Sequence, residues 1–560
     1  MPLSRSELIT GDLYTLVTLT ARGKDYRFSS RDVAVTNAND ESLPATLHFI
    51  GGLEPTEYED AIELGDSMPP ERSSSVTVLF HDDDGDGWET IANADHDLGD
   101  ATCELAIWKL GDDWRDRRVL LAGAVVSPEY GASYEPVSFS VSEEPSEDTG
   151  LIPLDRETVT DDRFPILHSN PTVMKIADSA AGQMYPTIYG APGVITAADA
   201  FTELPAVPGL LVEIDETYET NSHSSAEPAF ILVAGHHVEV TGNTVAVYNV
   251  TQGLSANLTV IDGSDDEKHP LSYIEVEGGD LTIDIGDEIY LAFRDLTLGG
   301  MRNLEDGGTM RNAVDIILDL LGRSTLRYDA FRIRALAHVL GGFNLDFYTN
   351  EQRSPWDVIQ DEILPLLPLA PAIGPNGLYF VHWPFGATSS DAVGGINPAS
   401  WGGARDGPVR VSDAGDVVNQ LRIGFALNVE SGEYSRSLTL GPRAFYDGDD
   451  TNVHPLAYQS YTRYGLRAGD VIETDVVYDS ATAYSVLDWK IKRDGMTYRE
   501  VEYLLPQTYQ YLEPGNVVLV TDDDIAWTDR VCLVTSIIRR PGDTVANLRT
   551  IPNWIRDAPP

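Results

Sequence analysis

The residues with the strongest claim to chemistry form a run of alternating carboxylates, His81-Asp82-Asp83-Asp84-Gly85-Asp86-Gly87-Trp88-Glu89. Asp82, Asp84 and Asp86 followed by Gly87 match the first half of a calcium loop. There, alternate carboxylates converge on a hard cation and a glycine makes the sharp bend. The twelfth position, where a bidentate glutamate would close the shell, is Asn93. An acidic β-turn is the competing reading, and Ca2+ is the one cofactor the sequence raises. Gly65-Asp66-Ser67 has the letters of a hydrolase nucleophile block. It follows Glu59-Asp60-Ala61-Ile62-Glu63-Leu64 rather than an apolar strand, and no Gly-x-Ser-x-Gly elbow exists. Asp450 and His454 stand one residue too far apart for an Asp-x-x-His pair, so a surface turn is expected. His236-His237 fall in a predicted strand, face opposite sides and read as half-exposed residues rather than shared metal ligands. A glycosidase needs two carboxylates at a set separation, one with its pKa raised by burial, and acidic excess alone does not supply that pair. No catalytic constellation emerges, and the expectation is a protein that is not an enzyme.

Around these residues stands a chain of 560 residues, too long for one core. Its hydrophobic content of 42% and aromatic content of 9% suffice to bury real cores. With Lys+Arg 38 against Asp+Glu 89, the net charge is 38 − 89 = −51. Such a surface repels nucleic-acid phosphates and anionic membranes, which disfavours a DNA- or RNA-binding role. Two explanations of the acidity stay open: adaptation to marine or hypersaline water, where salt screens self-repulsion, or the wall of a channel that DNA passes without sticking. Cys103 and Cys532 lie far apart and read as small buried hydrophobes. No apolar h-region follows Met1, and no run approaches the ~18–20 apolar residues of a membrane span. Asn249-Val250-Thr251 and Asn257-Leu258-Thr259 are therefore read as coincidental glycosylation patterns.

The expected fold class is mainly β, α+β: a multidomain chain with small β-barrel or sandwich domains around a three-helix α/β domain. Residues 1–145 read as an N-terminal β-barrel or sandwich, with strand formers at Leu13–Thr20, Val76–Phe80, Cys103–Leu110, Val119–Val126 and Val137–Val141. Residues 146–172 read as a linker. A second β-rich domain, 173–305, contains a predicted hairpin of Ala229–Val240 and Thr244–Val250 turning at Thr241-Gly242-Asn243. Three helices follow in an α/β domain, 306–385. The first, Ala313–Leu321, closes at Gly322. The second opens at Asp329 and runs through Phe331, Leu336, Val339 and Leu340. The third has Ser354 as its cap, Pro355 at its first position and Trp356, Val358, Ile359, Ile363 and Leu364 on one face. On that reading Trp356→Ala should cost on the order of 3 kcal/mol. A turn at Gly374–Gly377 feeds a strand at Leu378–Val381. A loop-rich link, 386–416, leads to a C-terminal β domain, 417–560, whose one helix is Ser480–Arg493.

Four stretches together resemble the tail hub (baseplate hub or tail-tip) proteins of long-tailed bacteriophages and gene transfer agents. Gly182-Gln183-Met184-Tyr185-Pro186-Thr187-Ile188-Tyr189-Gly190 is similar to a G-x-x-x-P-x-x-(F/Y)-G turn of hub domains. Asp416–Ile423 resembles the strand that opens the later hub β-domain. Tyr464-Gly465-Leu466, with Val477-Tyr478-Asp479 and the helix after it, is similar to the helix-bearing stretch that follows. Leu512-Glu513-Pro514-Gly515-Asn516-Val517-Val518 resembles an LEPGD-V-V strand opening, with Asn516 where Asp is usual. The resemblance implies a virion structural protein of siphophage type, made in the host cytoplasm and sited at the tail tip. It implies a homotrimer that joins the tail tube to the tip and opens during genome ejection to release the tape measure protein and DNA. The implied partners are a distal tail protein ring, the tape measure protein and a tail-tip or central fibre protein, with DNA only in transit through the lumen. Two other readings stand beside it: an extracellular carbohydrate- or cell-wall-active hydrolase of a halophile, and a calcium-dependent receptor-binding protein built on the Asp82–Gly87 loop.

Overall fold

A computed structural model describes residues 13–21, 23–37, 42–53, 57–61, 72–78, 98, 101–130, 137–143, 150–153, 158–160, 174–176, 180–194, 206–215, 229–238, 244–264, 269–276, 281–284, 286–292, 309–374, 376–401, 405–443, 445–446, 449–450, 452–540 and 543–551. The architecture is mainly β, in several sheets, with helices concentrated in one part of the chain.

The largest sheet draws on both ends of the chain. Its N-terminal strands run from Val33–Thr36 at one edge through Leu13–Ala21 and Thr102–Lys109 to Glu57–Ala61. There the ladder passes without a break to Trp527–Arg539, in the antiparallel register Ser536↔Ala61 to Arg539↔Tyr58. Asp543–Thr550, Arg499–Pro506 and the two-residue strand Arg410–Val411 complete it. Arg539 braces this seam. Its guanidinium donates to the carbonyls of Gln510 (3.2 Å) and Leu512 (2.6 Å) and lies over the Tyr58 ring. The stretch read as a loop-rich link contributes two strands here: Gly394–Ile396, parallel to Val517–Asp522, and Arg410–Val411.

A second sheet of eight strands nearly closes into a barrel. Its end strand Ala206–Pro208 and Leu210–Asp215, next to the other end strand Met174–Ile176, are consecutive in the chain and meet at Gly209, whose N–H donates to the Ile289 carbonyl. A methyl group at Gly209 would stand 3.1–3.2 Å from Ile231, Leu291 and Ile289, so the corner takes glycine. The expected hairpin does not form. Ala229–Ala234 pairs with Leu210–Asp215 and Pro270–Val276, whereas Thr244–Asn249 pairs with Leu254–Ser264 and Ile289–Ala292. Both strands are buried along nearly their whole length, and each takes an interior place between two other partners.

The helical part begins with α1 (Ala313–Arg323), capped by the Asn312 side chain on the Val314 N–H. It passes through Gly322, which stays helical, and closes one residue later with the Ser324 N–H on the Leu320 and Leu321 carbonyls. Six residues of α1 are buried, each worth roughly 1.5–3 kcal/mol for a large aliphatic side chain. The second helix, α2 (Ala330–Arg334), is capped by Asp329 as expected but lasts little more than a turn. Phe331 is 86% exposed and Val339 37%, so the inward residues are Ile333 and Leu340. Next, α3 (Pro355–Val358) carries the Ser354 cap, continues as a π turn over Ile359–Ile363 and ends in a 3-10 turn at Leu364–Leu366. Its expected apolar face, Trp356 included, is buried. The strand expected at Leu378–Val381 is present as Gly377–His382, and it pairs antiparallel with a strand not foreseen, Leu369–Gly374.

These helices share one core with α4 (Pro455–Tyr464), α5 (Ser480–Asp494) and the four-stranded sheet containing Gln420–Asn428 and Glu433–Gly441. A single apolar cluster thus takes in residues from Met310 to Ile491 and, from earlier in the chain, Ile152, Tyr189 and Val194. Within the stretch read as a linker, Ile152 exchanges two backbone hydrogen bonds with Arg353, and the Val159 N–H donates to the Gln183 carbonyl.

Candidate functional site

Among the described residues, polar chemistry is concentrated at two places. The first is a joint between the barrel and the helical core, built on Gly182–Gly190. Along one side of this segment, the Gly235 N–H at the end of a barrel strand donates to the Pro186 carbonyl (2.8 Å), and the Ile188 N–H donates to His236 Nε2 (2.9 Å). Along the other side, Thr187–Tyr189 pairs antiparallel with Phe347–Thr349. The Tyr189 hydroxyl donates to Asp319 Oδ2 on α1 at 2.5 Å.

Asp346 locks the joint. Its carboxylate is fully buried, receives Arg311 through two bonds of 2.9 and 2.8 Å, and accepts the Ala191 N–H at 3.0 Å. Gly190 has φ +65, and a Cβ there would lie 2.0 Å from Asp346 Oδ1; the final glycine of the motif is what lets this carboxylate approach. Burial pushes the Asp346 carboxyl above its ordinary value, and Arg311 works in the opposite direction.

His236 is buried, not a half-exposed strand residue, and it lies in a bend after the Ala229–Ala234 strand. With Nε2 accepting from Ile188, its Nδ1 carries the proton and donates to the His237 carbonyl at 3.1 Å. Burial lowers its pKa to about 4. The ring is a neutral backbone clasp. His237 is exposed, so the two rings do face apart.

The second place is an aromatic and cationic stack between the helical core and the C-terminal strands. Trp383, Phe385 and Trp489 stack in turn, with centroids 6.0 and 5.8 Å apart and planes within 25°. Trp489 Nε1–H is fixed by the Leu366 carbonyl at 2.7 Å. Lys490 and Arg493 lie over the Trp489 ring at 4.7 and 5.0 Å, while Arg549 lies over Trp383 at 5.2 Å and over Tyr498 at 3.2 Å. Arg493 is paired with Asp494 at 2.6 Å. Arg549 and Lys490 have no carboxylate within salt-bridge distance among the described residues, and neither donates a hydrogen bond to a side chain or carbonyl. Burial lowers both cations, Lys490 to about 8. Arg549 forms part of the wall of two adjoining clefts, of about 670 and 380 Å3.

Asp82, Asp84, Asp86 and Gly65–Ser67 lie outside the described residues. Among those described, no group of three or more His, Cys, Asp or Glu is placed to hold a metal, and no helix is long and apolar enough to cross a membrane. His454 is buried at the start of α4, where its Nδ1 accepts the Ala457 N–H. Its Nε2 meets Asp488 at 2.9 Å, a partner 34 residues away. Burial works to raise the Asp488 carboxyl, but His454 and Lys492 hold it below its ordinary value. Both cysteines are buried and free, and burial pushes the Cys532 thiol up to about 12. Asn249 is fully buried and donates to the Thr282 carbonyl and Asp287, which leaves no room for a glycan. The sequence reading missed Arg311–Asp346, His454–Asp488 and the Arg549 stack. Each joins residues more than 30 positions apart, and only the rarity of cations in an acidic chain could have drawn attention to them.

No protein-family model matches the chain, and no curated protein matches it. Among solved structures it is similar to a tail protein from Neisseria meningitidis MC58, at 10% identity and a TM-score of 0.37 over 98% of this chain and 99% of that one. It is also similar to a 43 kDa tail protein of prophage MuSo2 from Shewanella oneidensis, at 10% identity and a TM-score of 0.32 over 96% of this chain and 98% of that one. A third similarity is to a chain in the virion of a native gene transfer agent particle, at 13% identity and a TM-score of 0.19 over 52% of this chain and 84% of that one. These TM-scores are too low to establish a shared fold.

Proposed function

We propose that the chain is a structural protein of the tail of a phage or phage-like particle, and within that tail the hub. It joins the tail tube to the tip as a homotrimer and gates release of the tape measure protein and DNA. One observation carries this reading: the four stretches that resemble the hub family each lie at a joint of this molecule. Gly182–Gly190 clasps the barrel to the helical core through His236 and Asp346. Asp416–Ile423 opens the four-stranded sheet, with the Asn419 side chain donating to Ser460 and to the carbonyl of Gly465, the cap of α4. Asp479 caps α5. Leu512–Val518 meets the N-terminal strands through Arg118 and Glu513 at 2.8 Å and the β-hairpin of Leu369–Gly374 and Gly377–His382 through Gly515, whose missing Cβ leaves room for Val381. The departure at Asn516 is chemically silent, because its Oδ1 accepts the Glu513 N–H at 3.0 Å as an aspartate oxygen would.

Residues that hold modules at fixed angles are what a ring component needs, since small angular errors in each copy prevent closure. The net charge of −51 suits a lumen from which moving DNA is repelled. Light scattering and electron microscopy of the purified chain should find threefold rings. In particles that carry it, a label on this protein should mark the distal end of the tail. A monodisperse single chain at all concentrations, or turnover of polysaccharide or peptidoglycan by it, would overturn the proposal.

A further inference from the structure

We propose that the outward face of α2 and of the turns after it, from Phe331 to Val339, docks on an acidic face of a second copy of this chain, head to tail. The inference rests on the homotrimer proposed above and names the surface that builds it. The turns from Ala330 to Leu340 have two sides. Ile333 and Leu340 are buried, and Leu336 and Ala337 pack against the same core. On the other side Phe331, Ala335 and Val339 stand on successive turns, the first link fixed by the Ala335 N–H on the Phe331 carbonyl at 3.2 Å, and all three are exposed. Single exposed apolar residues are ordinary on a protein surface. Phe331 is 86% exposed at the head of an apolar ridge, and no other large apolar side chain among the described residues exceeds 60%.

Charge selects what covers the ridge. Arg327, Arg334 and His338 flank it and are exposed. Arg332 lies over the Tyr379 ring, with Asp329 and Glu513 each at 3.8 Å. From 327 to 339 three arginines stand against one aspartate, a charge of +2, while the rest of the chain carries −51 − 2 = −53. Phenylalanine and arginine without lysine are what the buried centre of a protein interface favours. A twofold axis through this face would set its arginines against their own copies, which repel. The same face is attracted to the acidic surface that every other copy presents. A contact between two different surfaces is heterologous, and it closes into a ring when three copies complete the turn.

The test is sedimentation velocity of the full chain. Wild type is expected to run as a trimer that loosens as salt rises. Phe331→Asp and Arg334→Glu should each raise the concentration of half-assembly at least tenfold with circular dichroism unchanged, and Phe331→Leu should keep the trimer. Both side chains are exposed, so the charge variants leave the core intact. Mixed with wild type, a tagged Phe331→Asp chain should still capture it through its unaltered acidic face. A wild-type trimer that survives both charge variants overturns the inference and leaves the tail reading standing. A wild type that never assembles overturns the homotrimer and this inference with it. A dimer abolished by the variants, or a tagged variant that captures no wild type, overturns the head-to-tail arrangement. Unchanged sedimentation with loss of the variants from assembled particles overturns the second copy as occupant and gives the face to another acidic protein.

Discussion

Arg311 and Arg549 are the same side chain put to opposite uses. Arg311 is 12% exposed and delivers its fork to a carboxylate that is itself fully buried, so both charges leave water together. Arg549 is stacked between rings with no carboxylate at salt-bridge distance among the described residues, Glu500 and Asp494 acting on it only through space, at the wall of two open clefts. A buried pair contributes little net stability when intact, but removing one member strands the other at high cost. A stacked cation facing a cleft strands nothing when removed. The first arrangement ties modules together; the second holds a cation by its rings at an open wall.

That contrast gives an ordered set of tests. Arg311→Ala leaves Asp346 buried and uncompensated and should cost about 3–5 kcal/mol, read as a lower denaturant midpoint for the transition that separates barrel from core. Acid should loosen the same joint through His236. Its folded pKa of about 4 lies below the ordinary ~6.5, so the unfolded chain takes up the proton first. The stability it contributes is complete above about pH 6.5 and declines as pH falls toward 4, by on the order of 3 kcal/mol. His236→Gln should flatten that part of the pH profile; an unchanged slope would remove the clasp from the argument. Gly190→Ala combines a left-handed backbone with a clash against Asp346 and should cost about 2 kcal/mol or more. Arg549→Gln should change the midpoint by less than about 1 kcal/mol. A loss as large as that of Arg311→Ala would show that the two arginines are not different in kind.

The sequence revealed what is local. The Ser354-Pro355 start, the Asp329 cap, the apolar face from Trp356 to Leu364 and the α5 face all depend on spacing within a turn or two, and all stand where they were read. The end of α1 was misread because Gly322 permits a left-handed turn without requiring one. Phe331 was misplaced because α2 is too short for its period to fix which side is inward. The hairpin failed for another reason: Ala229–Ala234 and Thr244–Asn249 are apolar on both faces, so neither carries the alternation that assigns a neighbour. The polar joints were illegible because Arg311 and Asp346, or Trp383 and Arg549, become neighbours only after the core has closed.

The seam between Tyr58 and Arg539 has a consequence in time. A ribosome adding roughly 5–20 residues per second finishes the later strand about half a minute or more after the earlier one. Through that interval the nascent chain displays a bare ladder of donors and acceptors, open to any extended stretch nearby. Synthesis order therefore makes this protein a natural client for whatever shields unfinished chains, and strand swapping between neighbouring polysomes is its characteristic hazard.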